Sequence, residues 1–165
     1  MALYKTYIRP KLEYGCPIWS PHLVKDKKAI ESAQRTFTKF ACLRCGISFE
    51  SYKHRLYQLN LKSLEYRRAE FDLIFLFKMV NGLCSLEFSS HFEWIRHGYG
   101  LRGNSLKIRP KFYYQNQLWD KCFFSRGPKW WNQLPESCVT ATDLCSFWRE
   151  LKKFNLNTIL KTVFD

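Results

Sequence analysis

One stretch limits what this chain can fold into. Ser63 to Gly82, SLEYRRAEFDLIFLFKMVNG, carries the most uniform apolar surface in the sequence and the clearest helix limits. Leu64, Phe71, Ile74, Phe75 and Lys78 follow one helical stripe, while Tyr66, Leu73, Phe77 and Val80 fill a second. From Phe71 onward apolar groups therefore face nearly every direction, and a helix of that kind must be surrounded. Its charges crowd the first half (Glu65, Arg67, Arg68, Glu70, Asp72), where the turns are expected to reach water. Glu65 with Arg68 and Arg68 with Asp72 have the spacing of ion pairs along a helix. Ser63 is the candidate N-cap and Asn81-Gly82 the left-handed stop. A bilayer span needs about 20 consecutive apolar residues. Arg67, Arg68, Glu70, Asp72 and Lys78 interrupt the run, so a core helix over 63–81 and no membrane span are expected.

Upstream, Leu3, Tyr7 and Ile8 have helical spacing until Pro10, which removes a donor and predicts a kink or end, with extended backbone at Arg9. Tyr4, Tyr7 and Trp19 are expected to lie exposed. Ser20-Pro21 reads as a cap and first-turn proline for a helix from about Val24 to Leu43. Ile30, Ala33, Phe37, Phe40 and Ala41 form its apolar positions, and Lys25, Lys27, Lys28, Arg35, Lys39 and Arg44 occupy much of the rest. Cys45-Gly46 ends it, and Ser51 to Leu59 makes a short helix with Tyr52, Leu56 and Leu59 inward. Short connections make neighbouring helices pack antiparallel, so residues 1–82 read as a helical bundle.

After Gly82 the pattern changes. Residues 83–104 read as loops with at most a short helical turn. Leu106 to Tyr114 reads as extended, with Pro110 confining any strand to an edge. Cys122 to Leu134 reads as a helix broken at Gly127-Pro128. Thr140 to Asp143 has capping-box spacing for a closing helix at about 142–155, with Leu144, Phe147, Trp148, Leu151 and Phe154 at helical steps. The expected fold is mainly α: a bundle over 1–82, then a basic, aromatic-rich region over 83–165 that is rich in loops, with one short strand and closing helices.

Lys plus Arg number 27 against 14 Asp plus Glu, a formal net charge of +13, which makes a polyanion the natural partner. Nucleic acid is favoured over a membrane surface because stacking rings are plentiful and no segment joins a long apolar face to a dense basic one. Between Arg102 and Lys129 seven basic residues (Arg102, Lys107, Arg109, Lys111, Lys121, Arg126, Lys129) meet a single acid, Asp120. Phe112, Tyr113, Tyr114, Trp119 and Trp130 are interleaved among them, the composition of a backbone-tracking groove with stacking rings. Buried rings under an ordinary solvated face fit the same composition, and both readings stand.

Seven cysteines make an odd count, and MALYKTYIRPK places charge and proline where a secretory leader would be apolar. A reducing, intracellular compartment, cytoplasm or nucleus, is expected. Cys42-Leu-Arg-Cys45 has the spacing of half a zinc site, but no second pair follows and His54 stands alone, so no metal is expected. Catalytic signatures such as Gly-x-Ser-x-Gly, a phosphate-cradling loop or His-Glu-x-x-His are missing, which favours a non-catalytic module.

Six runs in order, LYKTYIRPKLEYGCPIWSPH, IESAQRTFTKF, YKHRLYQLNLKSLEYRRAEFDLIFLFKMVNG, LRGNSLKI, FFSRGPKWWNQLP and SFWRELKKF, resemble the C-terminal part of the reverse transcriptase of LINE-type, jockey-like non-LTR retrotransposons. The RP-x-LEYG-x-P-x-W and LEYRR runs are the most specific pieces. The resemblance implies that residues 1–82 are a thumb-like bundle that grips primer and template, followed by the region beyond it. It also implies a truncated fragment of an RNA-directed DNA polymerase. The family's palm carboxylates and endonuclease have no counterpart here, so no catalytic residue is carried over, and Mg²⁺ belongs only to the parent polymerase. Gly127-Pro128-Lys129-Trp130 departs from the family pattern. The alternative is a structural or protein-interaction helical module whose charge maintains solubility.

Overall fold

The structure, a computed structural model, describes residues 1–95, 103–113 and 119–160. It is mainly α, with one two-stranded antiparallel sheet. The chain divides into two compact units. One takes in Met1–Ala69 with Leu160, and the other Glu70–Ile159, so the division falls inside the central helix, ahead of Gly82.

The first unit opens with a π-helical turn, Tyr4–Ile8, that runs directly into α1, Arg9–Glu13. The helix does not end at Pro10, and Arg9 is not extended. Arg9 is helical, with φ −58° and ψ −42°, and its N–H reaches the carbonyl of Tyr4 five residues back. That widened turn makes room for a ring that has no N–H to give and would otherwise strike the carbonyl one turn earlier. α2, Cys16–Trp19, follows, and α3 runs over Val24–Arg44. Ser20-Pro21 does not cap it; α3 starts beyond them, after Leu23 and without a side-chain cap. α4, Tyr52–Gln58, begins where Ser51 Oγ accepts from the His54 N–H at 3.1 Å. α5, Leu64–Val80, begins where Ser63 Oγ accepts from the Tyr66 N–H at 3.2 Å. Gly46 and Gly82 take φ of +65° and +64° just past α3 and α5. Those left-handed residues let Ile47 and Leu83 donate back to Cys42 and Lys78 at 2.9 and 2.8 Å and so close each helix.

Three further expectations are overturned. The buried face of α3 is Glu31, Gln34, Thr38 and Cys42, while Phe40 is 69% exposed. Hydrogen-bonding partners waiting inside outweigh the apolar pattern. The charges at the start of α5 do not reach water either: Glu65 and Arg68 are buried, as are Glu70 and Asp72 in the second unit. Glu65 accepts from Lys27 Nζ at 2.6 Å, and Glu13 takes both Nε and Nη2 of Arg67, the latter at 2.9 Å. Buried ions persist where each has a counter-ion in place. Tyr4, expected at the surface, is fully buried and stacks on Phe37 with ring centroids 4.2 Å apart, whereas Tyr7 stays 65% exposed.

The second unit contains the rest of α5, the short helix α6 (Phe88–His91), β1 (Phe92–Trp94), β2 (Ile108–Pro110), α7 (Phe123–Trp131), α8 (Glu136–Val139) and α9 (Leu144–Lys153). β1 and β2 pair antiparallel with Phe92 opposite Pro110 and Trp94 opposite Ile108, so Pro110 ends its strand as its missing donor requires. β1 replaces the expected loop. α7 is continuous through Gly127-Pro128, not broken. Gly127 is buried; a Cβ there would lie 3.5 Å from Leu76 Cδ2, so α5 and α7 approach closely at a residue with no side chain. α9 is capped by Asp143 itself, which accepts from the Ser146 N–H at 2.9 Å, rather than by Thr140. Leu73, Leu76, Phe77, Trp131, Phe147 and Leu151 form the centre of this core, with Phe147 stacked on Phe77 at 4.3 Å.

Residues 104–108 and 131–134 are joined here by directional bonds. Trp131 Nε1 donates to the Leu106 carbonyl at 2.8 Å. Asn132 uses its amide like a third strand, accepting from the Ile108 N–H and donating to the Ile108 carbonyl, both at 2.9 Å. Asn104 Nδ2 in turn donates to the carbonyls of Trp131 and Leu134 at 2.9 and 3.0 Å.

Candidate nucleic-acid interface

α3 presents its basic residues in a line. Lys28, Arg35 and Lys39 recur at steps of seven and four, which on a helix of 3.6 residues per turn places them on one face along about 16 Å of axis. Lys25 precedes them by a turn. Lys25, Lys28 and Lys39 are exposed, and none has an acidic partner among the described residues. Arg35 is half-buried, its guanidinium 4.5 Å from the centroid of the Tyr52 ring. Lys27 points elsewhere. Its ammonium neutralises Glu65, whose side chain is 8% exposed, and its charge serves the interior.

A polar network sets the angle at which that face is presented. Glu31 accepts from the Tyr52 hydroxyl, and both its oxygens accept from the Leu64 N–H at 3.1 Å, so a carboxylate from α3 sits on the positive end of α5. Gln34 accepts from the Tyr4 hydroxyl at 2.7 Å and donates to Tyr52 Oη and to the Lys62 carbonyl. Burial raises the Glu31 pKa, against the bonds from Tyr52 and Leu64 that hold the ion. The Tyr52 hydroxyl is pushed far up by the same burial and then by the Glu31 charge.

Among the described residues, several of the second group of basic residues are engaged with neighbouring acids and carbonyls. Arg126 is an interior residue, its Nε and Nη2 donating at 2.7 and 3.3 Å to the fully buried carboxylate of Asp72. Lys129 lies 3.9 Å from Asp120, Arg109 pairs with Glu93 at 2.9 Å, and Lys111 Nζ donates to the Ser89 carbonyl at 3.2 Å. Lys107 is half-buried beside Gly103. Lys121 is exposed in the 3₁₀ turn Trp119–Lys121, and its carbonyl accepts from Arg126 Nη1. Arg102 and Tyr114 lie outside the described residues. Of the rings expected to stack, Phe112 and Tyr113 are 54% and 70% exposed, while Trp119 and Trp130 are half-buried. The rings that do line a cleft, Phe88, Phe92 and Trp94, lie on α6 and β1, elements too short to show a periodicity in the sequence.

Among the described residues no group of three or more His, Cys, Asp or Glu could hold a metal ion, and no helix is long and apolar enough to cross a membrane. Cys42 is buried and Cys45 exposed, and the two are not joined to each other. Burial lifts the Cys138 thiol to about 11.

The chain matches no family model and no solved structure. It is 35% identical over 66 residues to a Caenorhabditis elegans protein, Uncharacterized protein B0403.1. That match takes in 40% of this chain and 33% of the relative, so the chain meets about a third of that protein's length.

Proposed function

We propose that the chain is a thumb-like region related to LINE-type reverse transcriptases, and that it binds nucleic acid, an RNA or a primer–template duplex, through α3 without polymerising. The observation that supports this reading most is the line Lys25, Lys28, Arg35 and Lys39 on one helix face, three of whose charges have no acidic partner among the described residues. The net charge of +13 and the resemblance of the six sequence runs support it further. Three phosphate contacts predict a log–log salt slope of about −2.7 on B-form duplex, or about a 40-fold loss of affinity for a fourfold rise in salt. Titrating a primer–template with the chain tests this. Reversing Lys28, Arg35 and Lys39 to Glu should remove binding while helical content holds, and a slope near zero would refute the reading. Extension assays with added Mg²⁺ should give no product, and incorporation above background would overturn the non-catalytic part.

A protein-interaction role is the second reading, and a specific feature favours it. Leu3, Tyr14 and Ile18 are 74%, 86% and 91% exposed in the first unit, large apolar side chains available to a protein partner. Under that reading the α3 reversal leaves a partner complex intact.

A further inference from the structure

In the second unit, α6 turns directly into β1 and leaves a cleft of about 640 Å³ beside the two-stranded sheet. Cavities of this size accommodate small-molecule ligands. Its apolar side is aromatic. Phe92 is 1% exposed and lines it, while Trp94 is 39% exposed and stands against Phe88 with ring centroids 4.8 Å apart, tilted by 31°. A planar ring entering the cleft can stack on the exposed part of Trp94 beside Phe88, as a nucleobase does on a stacking platform.

The lining also carries basic side chains. Arg109 and Lys111 both line the cleft, and their hydrogen bonds leave donors over: Arg109 uses Nε on Glu93, and Lys111 uses one of its three N–H groups on the Ser89 carbonyl. Two cations against the single carboxylate of Glu93 leave a net positive charge at the mouth, suited to one phosphate. Because Arg109 is 62% exposed at its side chain, its guanidinium can reorient without disturbing the core.

We propose that this cleft binds a single nucleotide, with its base against Trp94 and Phe88 and its phosphate held by Lys111 and Arg109. The nucleotide is either free in solution or an unpaired position in a strand, and in the second case the site deepens the nucleic-acid reading and rests on it. The cleft lies wholly in the unit that does not contain α3, so the two sites fail independently.

Isothermal titration of the full chain with adenosine 5′-monophosphate, inorganic phosphate and a single-stranded adenine octamer tests the proposal. The nucleotide should bind more tightly than phosphate, and Trp94→Leu should weaken it by about 5- to 150-fold, the range set by one stacked base. Lys111→Gln, an exposed change that leaves the fold intact, should weaken the nucleotide and phosphate alike. Tight octamer binding that Trp94→Leu weakens, with no nucleotide signal, assigns the site to strands. The Glu reversal on α3 should leave nucleotide binding unchanged while it removes duplex binding. If neither nucleotide nor octamer binding responds to Trp94→Leu and Lys111→Gln, the proposal is wrong, whatever α3 does.

Discussion

An Arg126→Met substitution separates charge that holds the fold from charge available to a ligand. In the sequence Arg126 belongs to the basic run between Arg102 and Lys129, and a binding role would predict weaker nucleic-acid affinity with stability untouched. Its surroundings predict the reverse. The side chain is 12% exposed, and it gives two charge-assisted bonds to Asp72, whose side chain is 0% exposed, plus one to the Lys121 carbonyl. Methionine keeps much of the packed stem but strips a buried carboxylate of its guanidinium, for which about 3–5 kcal/mol is the usual loss. In a chain of this size that is roughly 6–20 °C in melting temperature. Thermal unfolding followed by circular dichroism reads it directly. Asp72→Leu together with Arg126→Met should recover most of the loss, because an apolar pair of similar volume is often no worse than a buried ion pair. An unchanged melting temperature with reduced RNA affinity would refute the argument and return Arg126 to the surface.

Two further outcomes follow from the interior. Leu73→Asp places an unpaired charge at a residue that is fully buried in α5 and should abolish cooperative unfolding of the second unit, while Phe75→Asp, at a half-buried position, should act more mildly. Retained helical signal and a sharp transition in Leu73→Asp would show the core to be elsewhere. The pH dependence has two opposed parts. Hydrogen bonds from Ser146 hold Asp143 below its ordinary 3.8, so its stabilisation is present above that value and is lost as the pH falls through the lowered one. Burial holds Glu31 above its ordinary 4.5, so its contribution is complete below 4.5 and is lost as the pH rises through the raised value. Chemical denaturation across pH should therefore show Asp143→Asn flattening the acid limb, Asn still serving as a cap, and Glu31→Gln flattening the limb above 4.5.

Helix limits were legible in the residues themselves. Ser51, Ser63, Gly46 and Gly82 act through local backbone bonds, which need no tertiary context, and each sits where the sequence places it. What lay inside was less legible. Hydrophobicity ranks Phe40 above Glu31, yet Glu31 is buried and Phe40 is 69% exposed, because the Tyr52 hydroxyl and the Leu64 N–H stand across from α3 to receive Glu31. Pro10 and Pro128 failed as breakers for a related reason: each loses one bond, and a π turn or a helix packed tightly at Gly127 absorbs that loss. For the basic residues a count could not tell Lys28 from Lys27 or Arg126. That difference depends on which carboxylates the fold buries beside them.

The acid at the centre of the first unit also acts as a key. A one-residue slip of α3 would turn it by about 100° about its axis. Apolar side chains can often repack after such a turn, but Glu31 would then lose the Leu64 N–H and the Tyr52 hydroxyl together, and Gln34 would lose Tyr4. Directional bonds thus admit one azimuth. The direction in which Lys28, Arg35 and Lys39 face the solvent is decided by residues that no ligand touches, so a variant altered only at Glu31 or Gln34 would be one whose lysines are all present and wrongly aimed.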